Sequence, residues 1–408
     1  MATVVYTASS PEYFWDLFSE SYDFKIAASQ DGKSVTLTFA DHQVGGTSKL
    51  VLSGTSLKIK DGLITGGIIT DINAYNDAGK VIYDVSGLKI KGYLFRADRL
   101  YDSKGYVLSG NDTITGSSKS NDIDTGAGND KVKAGAGDDF IKDFLGSDTY
   151  DGGAGWDQVD FSEISQNGWL GGKGVSVNLT TGVAIDGWGY KDKLISIEGV
   201  RGTNYADKFL GSSAAVEEWF NGLAGADIID GAGGEDGVEY WKDAERGGRG
   251  NVTVDLSKGF AIDGFGDRDT LKNIEDVAGG KFNDRIIGNN KGNWLTGDSG
   301  NDYIKGNGGG WDYLEGQLGN DTLVGTKGTQ DKFAFRDIDG KNLGKDIVRT
   351  YTDGEDKIRF RNFDDIDSKS DLKITQKGAD VFIDFGHGSI MIEDLKVAKL
   401  TASDFLFE

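Results

Sequence analysis

The sequence predicts an all-β chain wound as an elongated parallel β-roll (β-solenoid) with three repeat blocks, preceded by a small β-rich N-terminal domain. Three observations predict it. An aspartate returns about every nine residues, each time after a glycine-rich step and just before a residue that faces a core. That register recurs in three separate runs. Finally, AIDGWGYKDKLISIEGVRGTNYADKFLG (184–211) aligns without gaps on AIDGFGDRDTLKNIEDVAGGKFNDRIIG (261–288), an offset of 77 residues that duplication explains most simply.

Residues 1–106 differ in kind from the rest. Ser10, Pro11 and Glu12 read as a helix start, with Phe14, Leu17 and Phe18 on one face. Alternating strands follow: VTLTF (35–39), KLVLSG (49–54), LKIKDG (57–62), GGIITDINAY (66–75), KVIYDVSG (80–87) and LKIKG (88–92). This segment either caps the open end of the roll or binds a partner.

Residues 107–165 form the first block. Its aspartates are Asp112, Asp122, Asp130, Asp139, Asp148 and Asp157, with successive gaps of 10, 8, 9, 9 and 9 residues. AGAGDDFIK (134–142) and GGAGWDQVD (152–160) fit the template GGxGxDxUx, U being a large apolar residue. Six residues from glycine to aspartate make a tight turn, in which glycines supply backbone angles that other residues resist. The last three make a very short strand whose U side chain points inward. Stacked copies line up carboxylates and carbonyls from neighbouring turns, which is the all-oxygen shell of six to eight ligands that calcium prefers. Since no single turn builds such a site, metal binding and folding should be one event.

Residues 166–201 read as connector strands, from the alternation Val175, Val177, Leu179. The second block, 202–241, uses Asp207, Glu218, Asp227 and Asp236, with SSAAVEEWFNG expected to form one turn of helix. A second connector, 242–278, carries Val252, Val254 and Leu256, and both connectors are expected to extend the same sheet. The third block, 279–335, uses Asp284, Asn293, Asp302, Asp312, Asp321 and Asp331. Weak members cluster early in each run. Asn293 is neutral, Tyr205, Phe282 and Lys291 take glycine slots, and Asp124 sits where an apolar residue belongs. Residues 336–408 read as a C-terminal cap and tail. The candidate metal ligands are therefore Asp112, Asp122, Asp130, Asp139, Asp148, Asp157, Asp207, Asp227, Asp236, Asp284, Asp302, Asp312, Asp321 and Asp331.

From about residue 107 onward the chain resembles the RTX (repeats-in-toxin) family, calcium-binding proteins that Gram-negative bacteria export by type I secretion. The resemblance implies that carboxylates two repeats apart share a calcium ion: Asp112 with Asp130, Asp122 with Asp139, Asp130 with Asp148, Asp139 with Asp157, Asp302 with Asp321, and Asp312 with Asp331. The stretch 333–364 looks like the segment that closes the last roll in this family. The ending LTASDFLFE looks like an uncleaved type I secretion signal, with Asp404 among Phe405, Leu406 and Phe407. The secretion machinery is thus an expected partner, and a secreted, extracellular or cell-surface location is expected.

Composition agrees. Sixty-six acidic against forty-four basic residues give a formal charge of −22, which makes nucleic acid and anionic membrane poor partners. About ten bound calcium ions, each +2, would nearly cancel it. With no cysteine, no disulfide staples the fold, so calcium must. The N-terminus lacks the basic flank and apolar run of a cleaved signal peptide, and no apolar run reaches membrane-spanning length.

Catalytic motifs are missing. His42 and His387 are far apart, HExxH and GxSxG do not occur, and no cysteine nucleophile exists. The expected function is a non-enzymatic structural or interaction role in a surface layer, biofilm matrix or adhesion, with the protein itself or extracellular polysaccharide as partner. Carbohydrate binding through Trp156, Trp311, Trp188 or Phe265 is the first alternative, and a polysaccharide-modifying enzyme with these blocks as accessory modules is the second.

Overall fold

A computed structural model describes residues 3–6, 24–28, 33–39, 47–60, 63–76, 81–91, 110–162 and 172–408. The helix expected at Ser10–Phe18 and the histidine His42 lie outside these residues. The chain divides into two compact units, Met1–Arg201 and Gly202–Glu408.

In the first unit, Phe24–Ala28, Ser34–Phe39, Thr47–Lys60, Leu63–Asn76 and Val81–Lys91 form an antiparallel meander, and Thr3–Tyr6 pairs antiparallel with the last of them. The separate strands expected at 49–54 and 57–62 are one strand of 14 residues, broken in register by bulges. Ser56 takes a left-handed φ of 52° there, the local kink that lets a long strand bend without ending. The other edge of Thr3–Tyr6 pairs in parallel with Thr113–Thr115, Val4 opposite Ile114, so the N-terminal strand covers the start of the roll.

From there the repeats alternate between two parallel sheets. Thr113–Thr115, Lys131–Ala136, Thr149–Ala154 and Lys191–Ile195 stack in one; Asp122–Asp124, Phe140–Lys142, Gln158–Asp160 and Gly199–Arg201 stack in the other. Strands of three residues cannot stand alone. What holds them is one inward side chain each: Ile114, Val132, Tyr150 and Leu194 from one sheet meet Ile123, Ile141, Val159 and Val200 from the other, all buried. Burying each such side chain contributes roughly 1.5–3 kcal/mol. Between turns the backbones nearly touch. A Cβ on Gly153, at φ 106°, would stand 2.1 Å from the carbonyl oxygen of Gly135.

The connector extends this unit's sheet, as expected. Ser176–Asn178 and Val183–Ile185 form a hairpin, and Val183–Ile185 pairs antiparallel with Lys191–Ile195.

The second unit repeats the plan. Trp219–Asn221, Gly237–Glu239, Asp276–Gly280, Asn293–Asp298, Asp312–Glu315, Lys332–Arg336, Lys357–Arg361 and Phe405–Phe407 carry one face, its core row running Phe220, Val238, Val277, Leu295, Leu314, Phe333, Ile358, Phe405. Arg285–Ile287, Tyr303–Lys305, Thr322–Val324, Gly344–Arg349 and Gly388–Ile392 carry the other. Two expectations change here. Residues 212–218 form no helix and Trp219–Asn221 is a strand, whereas a one-turn α-helix occurs at Asp243–Arg246 in the connector. The roll does not close at residue 335: strands 344–349 and 357–361 continue its register. The tail Phe405–Phe407 is the next strand of the stack, Phe407 stacked on Phe360.

Candidate metal centres

One geometry recurs from turn to turn among the described residues. The backbone N–H of the aspartate slot donates to Oδ1 of the carboxylate two repeats on. Asp112 donates to Asp130 at 2.7 Å, Asp130 to Asp148 at 2.6 Å, Asp139 to Asp157 at 2.9 Å, Asp302 to Asp321 at 2.7 Å and Asp312 to Asp331 at 3.1 Å. Alternation between sheets is the cause, since repeats two apart are neighbours in one sheet. The carboxylate pairs that the sequence singled out are thus brought together, with one correction.

Asn121, not Asp122, holds the second slot. Its N–H donates to Asp139 Oδ1 at 2.7 Å, and Ile123, not Asp124, fills the core. Asp122 faces outward and pairs with Lys142. The gaps of 10 and 8 were two gaps of nine displaced by one residue, and strand alternation settles it, because the slot must lie two residues before a buried apolar side chain.

The carboxylates fall into two kinds according to their second oxygen. In Asp207, Asp284 and Asp331 it accepts an N–H of its own turn, from Thr203, Gly280 and Thr326, at 2.7, 2.7 and 2.6 Å. Asn121, Asn293 and Glu218 are satisfied likewise, by Ser117, Asn289 and Ser212. In Asp130, Asp139, Asp157, Asp227, Asp236, Asp302 and Asp321 the second oxygen is buried without a partner. In Asp157, Asp227, Asp236, Asp302 and Asp321 it points back over a glycine that begins the turn: a Cβ on Gly222 would stand 2.0 Å from Oδ2 of Asp227, and one on Gly297 2.2 Å from Oδ2 of Asp302.

Such oxygens cannot stay charged and dry. Burial, reinforced by neighbouring carboxylates, pushes Asp130 and Asp302 up to about 8 and Asp227 up to about 10. Asp139 and Asp236 rise to about 7, and Asp157 and Asp321 to about 6, with burial again the largest cause. A hard cation removes the conflict. The donor set is carboxylate and backbone oxygen, with no nitrogen or sulfur, and so fits calcium. Asp130, Asp139, Asp157, Asp227, Asp236, Asp302 and Asp321 would hold it, and bound calcium would supply the charge compensation that their buried oxygens lack.

Several slot residues escaped the sequence reading. Asp192 and Asp269, equivalent across the duplication, accept from Asp148 and Asp227; Glu198 and Glu275, also equivalent, accept from Asp157 and Asp236. Asp346 and Asp356 accept from Asp321 and Asp331. The signal was half of the template. Each stands two residues before a buried apolar residue, namely Leu194, Leu271, Val200, Val277, Val348 and Ile358, but without a regular glycine step.

A comparison with protein families finds the same repeats. A family model described as the RTX calcium-binding nonapeptide repeat (four copies) matches residues 106–141, 124–159, 217–239, 278–310 and 307–329. No curated protein matches the chain. Among solved structures, the extracellular lipase LipA from Serratia marcescens is similar at 17% identity and a TM-score of 0.27, over 74% of this chain and 40% of the lipase. The chain therefore spans less than half of that enzyme's length. Each of the two units thus carries RTX calcium-binding nonapeptide repeats, the finding that supports the resemblance to the RTX family.

Proposed function

We propose that this is an exported protein that stays open in calcium-poor cytosol, folds on calcium outside the cell, and then serves a structural or interaction role in a surface layer, biofilm matrix or adhesion. The observation that carries the reading is the row of buried, unpartnered carboxylate oxygens, whose charge a bound cation compensates. Extracellular calcium modules bind at roughly 0.1–1 mM. Calcium at ten times the dissociation constant stabilises each site by about 1.4 kcal/mol. Several sites together rival the roughly 5–15 kcal/mol net stability of a domain. Stacked strands also leave open edges suited to self-association. The role is non-enzymatic in this reading: the sequence holds no HExxH or GxSxG, and His387 is engaged by Asp365 at 2.9 Å and packed on Phe363.

Sedimentation velocity in chelator and then across about 0.1–10 mM calcium, with magnesium as control, tests the reading. Conversion of an expanded chain into large calcium-dependent species supports a lattice or matrix component. A compact monomer keeps calcium folding and turns the search toward a receptor or glycan. Indifference to calcium overturns the proposal.

Carbohydrate binding has one specific observation in its favour. Trp311 is 52% exposed beneath the ammonium of Lys332, 4.6 Å from its ring centre, and Trp294, 43% exposed, leans on Tyr313. Trp156 does not share it, since its ring packs against Gly199. Retention on immobilised polysaccharide, lost on Trp311→Ala with calcium folding intact, would favour this reading.

A further inference from the structure

Where most turns begin with glycine, the turn of Asp148 begins with Asp143, five residues before it. In the second unit the corresponding position, five residues before Asp227, is Gly222. The added carboxylate does not escape to solvent. Asp143 is 0% exposed, Asp148 3% and Asp192 1%, and an oxygen from each lies within 4.8 Å of the others.

Their hydrogen bonds leave oxygens over. Tyr150, which takes the core position of this repeat, places its hydroxyl 2.6 Å from Asp143 Oδ1 and 3.0 Å from Asp148 Oδ2, with a single proton to give. Asp192 Oδ1 accepts the N–H of Asp148 at 2.9 Å. Oδ2 of Asp143 and Oδ2 of Asp192 are buried with no partner. Asp186 stands close enough to act on Asp143 by its charge; its Oδ1 accepts the N–H groups of Trp188, Gly189 and Tyr190, and its Oδ2 too is buried without a partner. Among the described residues, no basic side chain pairs with any of the four. Three carboxylates around one point, in the dry interior, have the oxygen chemistry of a hard-cation site and more charge than a repeat turn supplies.

We propose that Asp143, Asp148 and Asp192 hold a calcium ion inside the first unit, at a site set apart from the repeat sites by its third carboxylate. The proposal rests on the calcium reading above and deepens it. Affinity of oxygen sites rises with ligand charge, so this site fills before the repeat turns and ties the turn of Asp148 to the connector strand that carries Asp192. Asp143 acts as the residue that turns a weak repeat site into a tight one.

The test is equilibrium dialysis of the full chain against free calcium buffered at about 10 µM, well below the range of repeat-type extracellular modules, with bound metal counted by elemental analysis. The native chain should retain about one ion. Asp143→Gly, which restores the glycine of other turns, and the isosteric Asp143→Asn should retain none, while both still fold and fill their repeat sites at millimolar calcium. As a readout that needs no change at Asp143, the ultraviolet difference between the native chain and Tyr150→Phe should shift on adding 10 µM calcium. Equal retention by the native chain and both variants, or no ion in the native chain at 10 µM despite normal binding at millimolar levels, overturns the proposal. A native chain that binds no calcium even at millimolar levels would instead sink the repeat reading beneath it.

Discussion

The N–H of Asp302 points at Oδ1 of Asp321, 2.7 Å away and nineteen residues on, while the other oxygen of Asp321 has no partner and Asp321 is 1% exposed. One carboxylate thus does two jobs, stapling the backbone of a neighbouring turn and offering a free oxygen. Asp321→Asn keeps an acceptor for the N–H but removes the charge. It should raise the calcium concentration for half-folding several-fold, whereas Asp207→Asn, whose second oxygen is already held by Thr203, should shift it much less. Calcium titrations followed by circular dichroism decide this, and equal shifts would contradict the division into two kinds of turn.

Gly222→Ala should harm calcium folding without touching any ligand. The new methyl would lie 2.0 Å from Oδ2 of Asp227, so the carboxylate must swing away or the turn must open. Overpacking of this order costs about 1–3 kcal/mol. Thermal melts at saturating calcium should show the loss. A glycine with nothing near it, such as Gly328, is no clean control because its φ of 84° strains any alanine.

In the absence of calcium the fold should be steadied by acid. Asp130, Asp302 and Asp346 rise from an ordinary 3.8 to about 8 through burial, so the folded chain holds protons that the unfolded chain has shed. That contribution is fully present below the unfolded value and is lost as pH rises through about 8. Calcium-stripped protein should therefore be more compact at pH 5 than at pH 8. Calcium binding should release protons, and its midpoint should climb as pH falls. Circular dichroism of metal-free protein against pH checks the first statement, and pH-stat titration the second.

Arg201 and Asp160 form a buried ion pair at 2.9 Å, 4% and 1% exposed, with the guanidinium stacked over Phe140 at 5.1 Å. Arg201→Met leaves the Asp160 charge without its partner and should destabilise the first unit by roughly 3–5 kcal/mol. Replacing both, with Asp160→Leu added, should recover much of it. A denaturant titration in saturating calcium measures both.

How much of this was legible depends on which half of the repeat survived. Where glycine step and aspartate both persisted, as in 152–160, strand, turn and ligand were all readable. At Asn121 the glycine step gave way to serine and lysine, and the more conspicuous Asp122 drew the register one residue too far. Asp192, Asp269, Asp346 and Asp356 kept only an aspartate two residues ahead of an apolar side chain, too common a triplet to stand out alone. Glu198 and Glu275 lacked even the aspartate. Asp143 was invisible for another reason: it occupies a glycine position, and only the packing of Tyr150 above it shows where its carboxylate goes. Strand pairing between repeats two apart, which no single repeat encodes, fixed the rest.

The staple between slots always runs one way, from a backbone N–H to a carboxylate later in the chain. Asp302 waits for Asp321, Asp321 for Asp346, and Asp331 for Asp356. The roll is therefore directional in its dependence. Among these slot staples, trimming from the front removes donors and leaves the later ones closed, whereas trimming from the back strips the anchors from the turns before. The neighbouring asparagines Asn283, Asn301 and Asn320, which accept from later N–H groups, run the other way. Within the second unit these staples should fail from the carboxyl end, so Asp346 and Asp356, beyond residue 335, act as a clasp for Asp321, Asp331 and the slots that lean on them.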